Sequence, residues 1–84
     1  MIPPADLHAL LQASFPDADI RITDLTGTQD HYEAAIGSDV FEGKSLLQQH
    51  RLVYAALGEA MKEKVHAFSF KTYTKATFPR SLVR

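Results

Sequence analysis

The sequence predicts a small α+β domain in which helices pack on a three-stranded mixed sheet. Three observations support this fold class: the length of 84 residues, two apolar stripes with helical spacing, and three short segments in which apolar and polar residues alternate. A chain of this length forms one domain with one modest core. We therefore expect a single domain over residues 1–84, with a short helical or irregular, flexible tail at 75–84.

The first helix and the first two strands follow from local patterns. Pro3 and Pro4 suit the first turn of a helix, and leucines at helical spacing continue it. The segment ADIRITDLT (18–26) alternates like a half-buried strand, and TGTQD (26–30) supplies a turn. HYEAAIGSDV (31–40) alternates again, so these two strands are predicted to form an antiparallel hairpin.

The longest helical pattern lies in the second half of the chain. FEGKS (41–45) predicts a break, with Gly43 at a position of special φ and Ser45 as the N-cap of the next helix. That helix is predicted over residues 46–65, and Gly58 is expected to weaken it slightly from within. Its apolar stripe consists of Leu46, Leu47, His50, Val53, Tyr54, Leu57, Met61 and Val65.

Two histidines stand where strands are predicted to begin. His66 heads the third predicted strand, KVHAFSFKTYT (64–74), on the same side as Phe68 and Phe70. A long helix between the second and third strands predicts a parallel crossover, so both strands should begin at the same end of the sheet. Since His31 begins the second strand, His31 and His66 could be neighbours in space.

Such a pair of histidines suggests metal ligands. Two imidazoles could supply half of a four-coordinate site, and Glu33 is the best third candidate. The chain contains no cysteine, so thiolate ligands would have to come from a partner, and the incomplete ligand set suggests a shared site. A structural alternative stays open, in which His66 closes the rim of the core and His31 is a polar loop residue.

Other candidate residues point to structural roles. His50 lies on the apolar stripe of the long helix, where a buried or half-buried histidine bonded to the backbone is expected. No nucleophile elbow or oxyanion-type glycine motif surrounds Ser69, so we predict no enzymatic activity. No apolar run approaches the ~18 residues of a membrane-spanning helix, and the N-terminus does not resemble a secretory signal. A soluble, cytoplasmic protein is therefore expected.

The charge distribution is uneven along the chain. Residues 1–40 contain one basic and seven acidic side chains, whereas residues 41–84 contain eight basic and three acidic ones. This asymmetry can mark a face that binds a polyanion or an oppositely charged partner, or it can arise by chance. The candidate phosphate contacts are Lys44, Arg51, Lys71, Lys75 and Arg80.

The chain resembles the BolA family, most specifically through motifs in its second half. VFEGKSLLQQHRLVYAALGEAM (40–61) followed by VHAFSFKTYT (65–74) matches the family's Phe-x-Gly-x-Ser segment, its His-Arg-x-Val helix and its Val/Ile-His-Ala strand. The resemblance spans residues 5–74 and fades in the tail, where Phe78 stands in place of a frequent family tryptophan. It implies a fold similar to that of type II KH domains.

The resemblance also implies a function and a partner. BolA proteins form heterodimers with monothiol glutaredoxins, bridged by a 2Fe-2S cluster to which glutathione contributes a thiolate. The positions that match the family's ligands are His31 and His66. The implied role is iron–sulfur cluster assembly or trafficking and iron homeostasis, with the chain alone a monomer or weak homodimer.

Two other roles stay open beside this one. Transcriptional regulation is the family's other role. The Gly-x-x-Gly loop of nucleic-acid-binding KH domains is missing here, so weak or partner-dependent DNA binding is expected of this chain at most. A third possibility is a module that regulates the glutaredoxin without sharing its cluster.

Overall fold

The computed structural model describes residues 3–24, 31–58 and 67–79. Within these ranges the chain forms helix α1 (Pro4–Ser14), strands β1 (Asp19–Asp24) and β2 (His31–Gly37), a short 3₁₀ helix (Asp39–Phe41), helix α2 (Leu46–Leu57) and strand β3 (Ala67–Tyr73). This order confirms the predicted α+β class. Residues at several predicted element ends, 25–30 and 59–66 among them, lie outside the described part.

The sheet has three strands in the order β1-β2-β3. β1 and β2 are antiparallel, with Ile20 opposite Ile36, which confirms the predicted hairpin. β2 and β3 are parallel, with His31 opposite Ala67, which confirms the crossover inferred from the helix between them. The central strand β2 therefore sets the register of both its neighbours.

The two faces of the sheet have different surroundings. On one face, the buried side chains of β2 pack with leucines and a valine from both helices: Tyr32, Ala34, Ile36, Leu7, Leu11, Val53 and Leu57. Side chains of β1 and β3 cover the edges of this core. The opposite, open face presents Arg21, Glu33 and Lys71, which alternate with the buried positions along their strands. The described helices pack only against the first face.

Helix α2 ends earlier than the apolar stripe predicts. Its last residue is Leu57, and Gly58 forms the C-cap with φ of 51°. Positive φ is costly for residues with a Cβ, so glycine ends this helix instead of merely weakening it. The prediction that the helix runs through Gly58 was wrong, and its expected continuation to residue 65 lies outside the described residues.

A polar network joins the α1–β1 connection to the end of β2. The Ser38 hydroxyl is fully buried and donates to Asp17 Oδ1 at 2.7 Å, while the Asp39 backbone N–H donates to Oδ2 at 2.9 Å. Lys75 adds a hydrogen bond to the Asp17 carbonyl at 2.8 Å and an ion pair with Asp19 at 3.3 Å. The network thereby ties the segment after β3 to the start of β1.

This network predicts a loss of stability in acid. The hydrogen bond from Ser38, and then that from the Asp39 N–H, lower the pKa of Asp17 below its ordinary value. A lowered pKa in the folded state means that the carboxylate stabilises the fold above its ordinary pKa, and that this contribution disappears as pH falls through the lowered one. We expect the unfolding free energy of Asp17→Asn, measured by urea unfolding at several pH values, to fall less in acid than that of wild type, and Ser38→Ala to show part of this effect. If both variants lose as much stability in acid as wild type does, this assignment is contradicted.

Phe78 anchors the segment after β3 on the sheet. Its ring is 6% exposed and lies against Gly37, with the ring of Tyr73 at a centroid distance of 5.8 Å. A turn closed by hydrogen bonds between Thr74 and Thr77 brings it there. The first part of the predicted tail is therefore packed, while residues 80–84 lie outside the described part.

Candidate functional site

The edge at which β2 and β3 begin carries the predicted ligand positions. His31 is the first residue of β2, and its partner across the parallel ladder is Ala67, the first residue of β3. Ala67 directly follows His66 in the sequence. The His31 side chain and all of His66 lie outside the described residues, so their pairing as ligands stays a prediction. Its premise, that the two strands begin at one edge, is confirmed.

An aromatic cluster lies between β3 and α2. The ring of Phe70 is 5.2 Å from that of Phe68, 5.4 Å from that of Tyr54 and 4.6 Å from that of His50, measured between centroids. His50 is half-buried, as predicted, and meets Phe70 edge to face. Within the described residues this ring contact takes the place of the expected hydrogen bond to the backbone.

The N-terminal part of α2 is exposed, although apolar residues of the predicted stripe lie there. Leu46 and Leu47 are 63% and 60% exposed, and Tyr54 is 49% exposed. Only Val53 and Leu57 of the described part of the predicted stripe are buried. The reason is geometric: the second half of α2 lies over the core, whereas no described element covers its first turn. The apolar stripe therefore predicted the helix correctly, and only part of it is buried.

The FEGKS turn places the start of α2. Phe41 is 1% exposed, with its ring 5.3 Å from that of Phe15. Gly43 has φ of 75°, as its predicted special position requires. Ser45 and Gln48 form a reciprocal capping box, which confirms the predicted N-cap. Gln49 then bonds to the Lys44 carbonyl at 2.9 Å and to Thr72 of β3, so the turn, the helix and the strand are held together.

The predicted phosphate contacts occupy different surfaces. Lys44 is exposed in the turn before α2, and Arg51 is exposed on α2 itself. Lys71 is exposed on the open face of the sheet, and Lys75 is engaged with Asp17 and Asp19. Arg80 lies outside the described residues. The four described side chains do not form one continuous basic stripe.

A shallow basin on the open face of the sheet was not predicted. Its volume is about 280 Å³, and charged or hydroxyl side chains from all three strands line it, among them Arg21, Glu33, Ser69 and Lys71. The alternation that marks the buried positions also marks these outward ones. The alternation within one strand does not show which strands are neighbours, so these outward residues could be placed together only from the strand order of the sheet.

Two further properties of the described residues bear on the site. These residues include no group of three or more His, Cys, Asp or Glu side chains that could hold a metal ion. In the same part of the chain, no helix is both long enough and apolar enough to cross a bilayer.

Comparisons with known proteins agree with this fold and with the motifs on it. The family model described as BolA-like protein matches residues 8–77. The chain is 48% identical over 67 residues to the protein RP812 of Rickettsia prowazekii, covering 80% of this chain and 87% of that protein. It is 31% identical over 71 residues to the DNA-binding transcriptional regulator BolA of Escherichia coli, covering 76% of this chain and 68% of the regulator.

A solved structure shares the same architecture. BolA1 from Arabidopsis thaliana superimposes with a TM-score of 0.79 at 29% identity, covering 89% of this chain and 94% of BolA1. The family match includes the FEGKS turn, helix α2 and the three strands described above. Because sequence and fold agree over most of its length, the chain belongs to the BolA-like protein family.

Proposed function

We propose that this chain is an iron–sulfur cluster assembly or trafficking factor that also serves iron homeostasis. It shares a 2Fe-2S cluster with a monothiol glutaredoxin and transfers that cluster as cargo. Family membership supports the class of function. The observation that carries the proposal for this chain is the parallel register in which His31 is paired with Ala67.

This register gives the two candidate ligands a common edge. Neighbouring strands in a sheet lie about 4.8 Å apart, so the first residue of β2 and the residue before β3 belong to adjacent strand starts. Hydrogen-bonded strand starts are rigid, which suits ligands that must keep a fixed separation. Imidazole nitrogen is a common ligand for iron, and two imidazoles leave two positions on one iron for other donors.

The composition of the chain indicates what the partner must supply. Since the chain has no cysteine, the cluster's thiolate ligands come from the glutaredoxin and from glutathione. Imidazole in place of thiolate removes negative charge from the cluster and raises its reduction potential. Imidazole binds iron only when it is neutral, so this half of the site weakens as pH falls. These properties suit a cluster that is handed on.

Anaerobic reconstitution with a monothiol glutaredoxin tests the proposal. Iron, sulfide and glutathione are added with and without this protein, and visible circular dichroism is recorded for wild type, His31→Ala and His66→Ala. We expect a heterodimer spectrum that differs from that of the glutaredoxin alone and changes when either histidine is lost. His8→Ala, at a half-buried position on α1, is the matched control and should leave the spectrum unchanged.

A second measurement separates shared ligation from simple docking. Affinity for the glutaredoxin is measured by calorimetry without iron, for the same variants. Loss of the heterodimer spectrum with unchanged apo affinity supports ligation by the histidines. Changed affinity with an unchanged spectrum supports a module that regulates the glutaredoxin without sharing its cluster. A spectrum that stays that of the glutaredoxin alone, even with wild type, refutes the proposal.

A second candidate function is DNA-dependent transcriptional regulation. The name of the Escherichia coli relative favours it. On this chain, Lys44 and Arg51 are both exposed close to the start of α2, where they could reach phosphates. Each phosphate contact should steepen the salt dependence of binding by about one unit of slope. Fluorescence anisotropy with duplex DNA at several salt concentrations, with Lys44→Gln and Arg51→Gln as variants, measures that slope. Binding that does not depend on salt would exclude this candidate.

A further inference from the structure

The basin on the open face of the sheet has the side chains of a binding site for a small oxyanion. We propose that it binds a phosphate monoester that also carries hydroxyl groups, such as a sugar phosphate. The basin is on the face opposite both helices, so this inference does not depend on the cluster. Its volume of about 280 Å³ is large enough to hold a sugar phosphate.

The register of the sheet builds a cationic row across the basin. Arg21 on β1 is opposite Ala35 on β2, and Ala35 is opposite Lys71 on β3. The two outer strands are therefore about 10 Å apart, with only a methyl group between the two cations. Arginine and lysine side chains are long enough to approach each other above the Ala35 methyl group, where a phosphate could bridge them.

Neither cation forms an ion pair within the described part of the chain, although the Glu33 carboxylate lies in the neighbouring row. No ion pair or hydrogen bond engages the Arg21 guanidinium or the Lys71 ammonium there, whereas Lys75 nearby is held by Asp19 and Asp17. Two cations on one row repel each other, and an anion bound between them would be attracted to both. Arginine offers a planar fork that matches phosphate oxygens, and lysine adds a point charge.

The neighbouring row limits which anion fits. It contains Thr23, Glu33 and Ser69, in register across the three strands. The hydroxyls of Thr23 and Ser69 can donate to a ligand or accept from it, whereas an ionised Glu33 can only accept. A second negative charge beside the first would meet this carboxylate, but a neutral hydroxyl would bond to it. The row therefore favours one phosphate attached to a polyol over an extended polyanion.

A titration followed by nuclear magnetic resonance tests the inference on the full chain. Ribose 5-phosphate is added to ¹⁵N-labelled protein, and we expect saturable shifts at Ala35, Ser69 and Lys71. The double variant Arg21→Gln/Lys71→Gln should weaken binding by about a hundredfold, because it removes two charge-assisted contacts, each worth roughly a factor of ten. The matched control Lys44→Gln/Arg51→Gln removes the same charge outside the basin lining, so the ligand-induced shifts at Ala35, Ser69 and Lys71 should stay like those of wild type. Amide dispersion verifies that each variant is folded, and the single variants replace the double one if it is not.

Two further arms distinguish the ligand's chemistry. Glu33→Gln should tighten binding of inorganic phosphate and reduce the preference for ribose 5-phosphate over inorganic phosphate. A single-stranded oligothymidylate, which carries phosphates in series, should bind the basin more weakly than ribose 5-phosphate. The inference is overturned if ribose 5-phosphate shows no saturable shifts, if both double variants lose binding equally, or if the oligonucleotide binds the basin more tightly.

Discussion

Replacing Phe41 by alanine is expected to cost about 3–5 kcal/mol of unfolding free energy, a large share of the stability of so small a domain. The side chain is 1% exposed and packs against Phe15 at the end of α1. Its removal leaves a cavity between the end of α1 and the turn that begins α2. Phe41 also takes part in the hydrogen bonds of this turn. Its backbone carbonyl accepts from the Lys44 N–H at 3.2 Å and from the Gln49 side chain at 3.4 Å.

Urea unfolding followed by circular dichroism measures this cost. Val40→Ala is the matched control, since Val40 is the preceding residue and is 42% exposed. The control should change the unfolding free energy by less than about 0.5 kcal/mol. Equal costs for Phe41→Ala and Val40→Ala would show that the motif's phenylalanine does not anchor the turn.

Gly37→Ala is expected to destabilise the domain by about 1–3 kcal/mol, the cost typical of overpacking. A Cβ at this position would lie 2.6 Å from Cδ1 and 2.9 Å from Cβ of Phe78. Gly37 is itself buried at the end of the central strand, where the Ser38 N–H donates to the Tyr73 carbonyl at 3.0 Å. The backbone is therefore held in place, so the Phe78 ring must move out of its site.

A double-mutant cycle identifies this clash as the cause. In a Phe78→Gly background both the ring and the Cβ of residue 78 are gone, and Gly37→Ala should then cost much less than in wild type. Coupling between residues in contact is typically about 0.5–3 kcal/mol, well within the resolution of denaturant unfolding. If the two costs simply add, the alanine acts through the strand backbone and not through Phe78.

Most of the fold could be predicted because its signals are local. The alternation in residues 31–37 marks the buried positions of β2, and the same pattern places Phe68 and Phe70 on the core side of β3. A helix between two strands requires a crossover, which fixed the parallel pairing without any structural information. Gly43 and Ser45 were recognised because positive φ and N-capping each demand particular residue types.

The remaining features depend on contacts distant in sequence. Gly58 could equally interrupt a helix or end it, and the helix ends there because the cap adopts positive φ. The exposure of Leu46 and Leu47 depends on where α2 meets the sheet, which periodicity does not contain. Likewise, nothing local indicates that Phe78 is buried against Gly37.

The candidate sites divide in the same way. The two histidines were predicted as metal ligands from their positions and the expected crossover, the family resemblance added the 2Fe-2S cluster, and their ligand role stays a prediction. The cationic row of Arg21 and Lys71 was missed, although both residues stand at outward positions of predicted strands. These residues are fifty positions apart in the sequence. They lie on one row only because β2 is the middle strand of the sheet and pairs with both of their strands.

The mixed sheet also determines the order in which the molecule can assemble. The hairpin of β1 and β2 joins segments close in sequence, whereas pairing of His31 with Ala67 closes a much longer loop. Longer closures cost more entropy and form later. We expect a chain emerging from the ribosome to acquire the hairpin first and the edge shared by β2 and β3 last. Only the finished fold brings the two strand starts together, so under the proposed function a partly folded chain would lack the edge at which both candidate ligands lie.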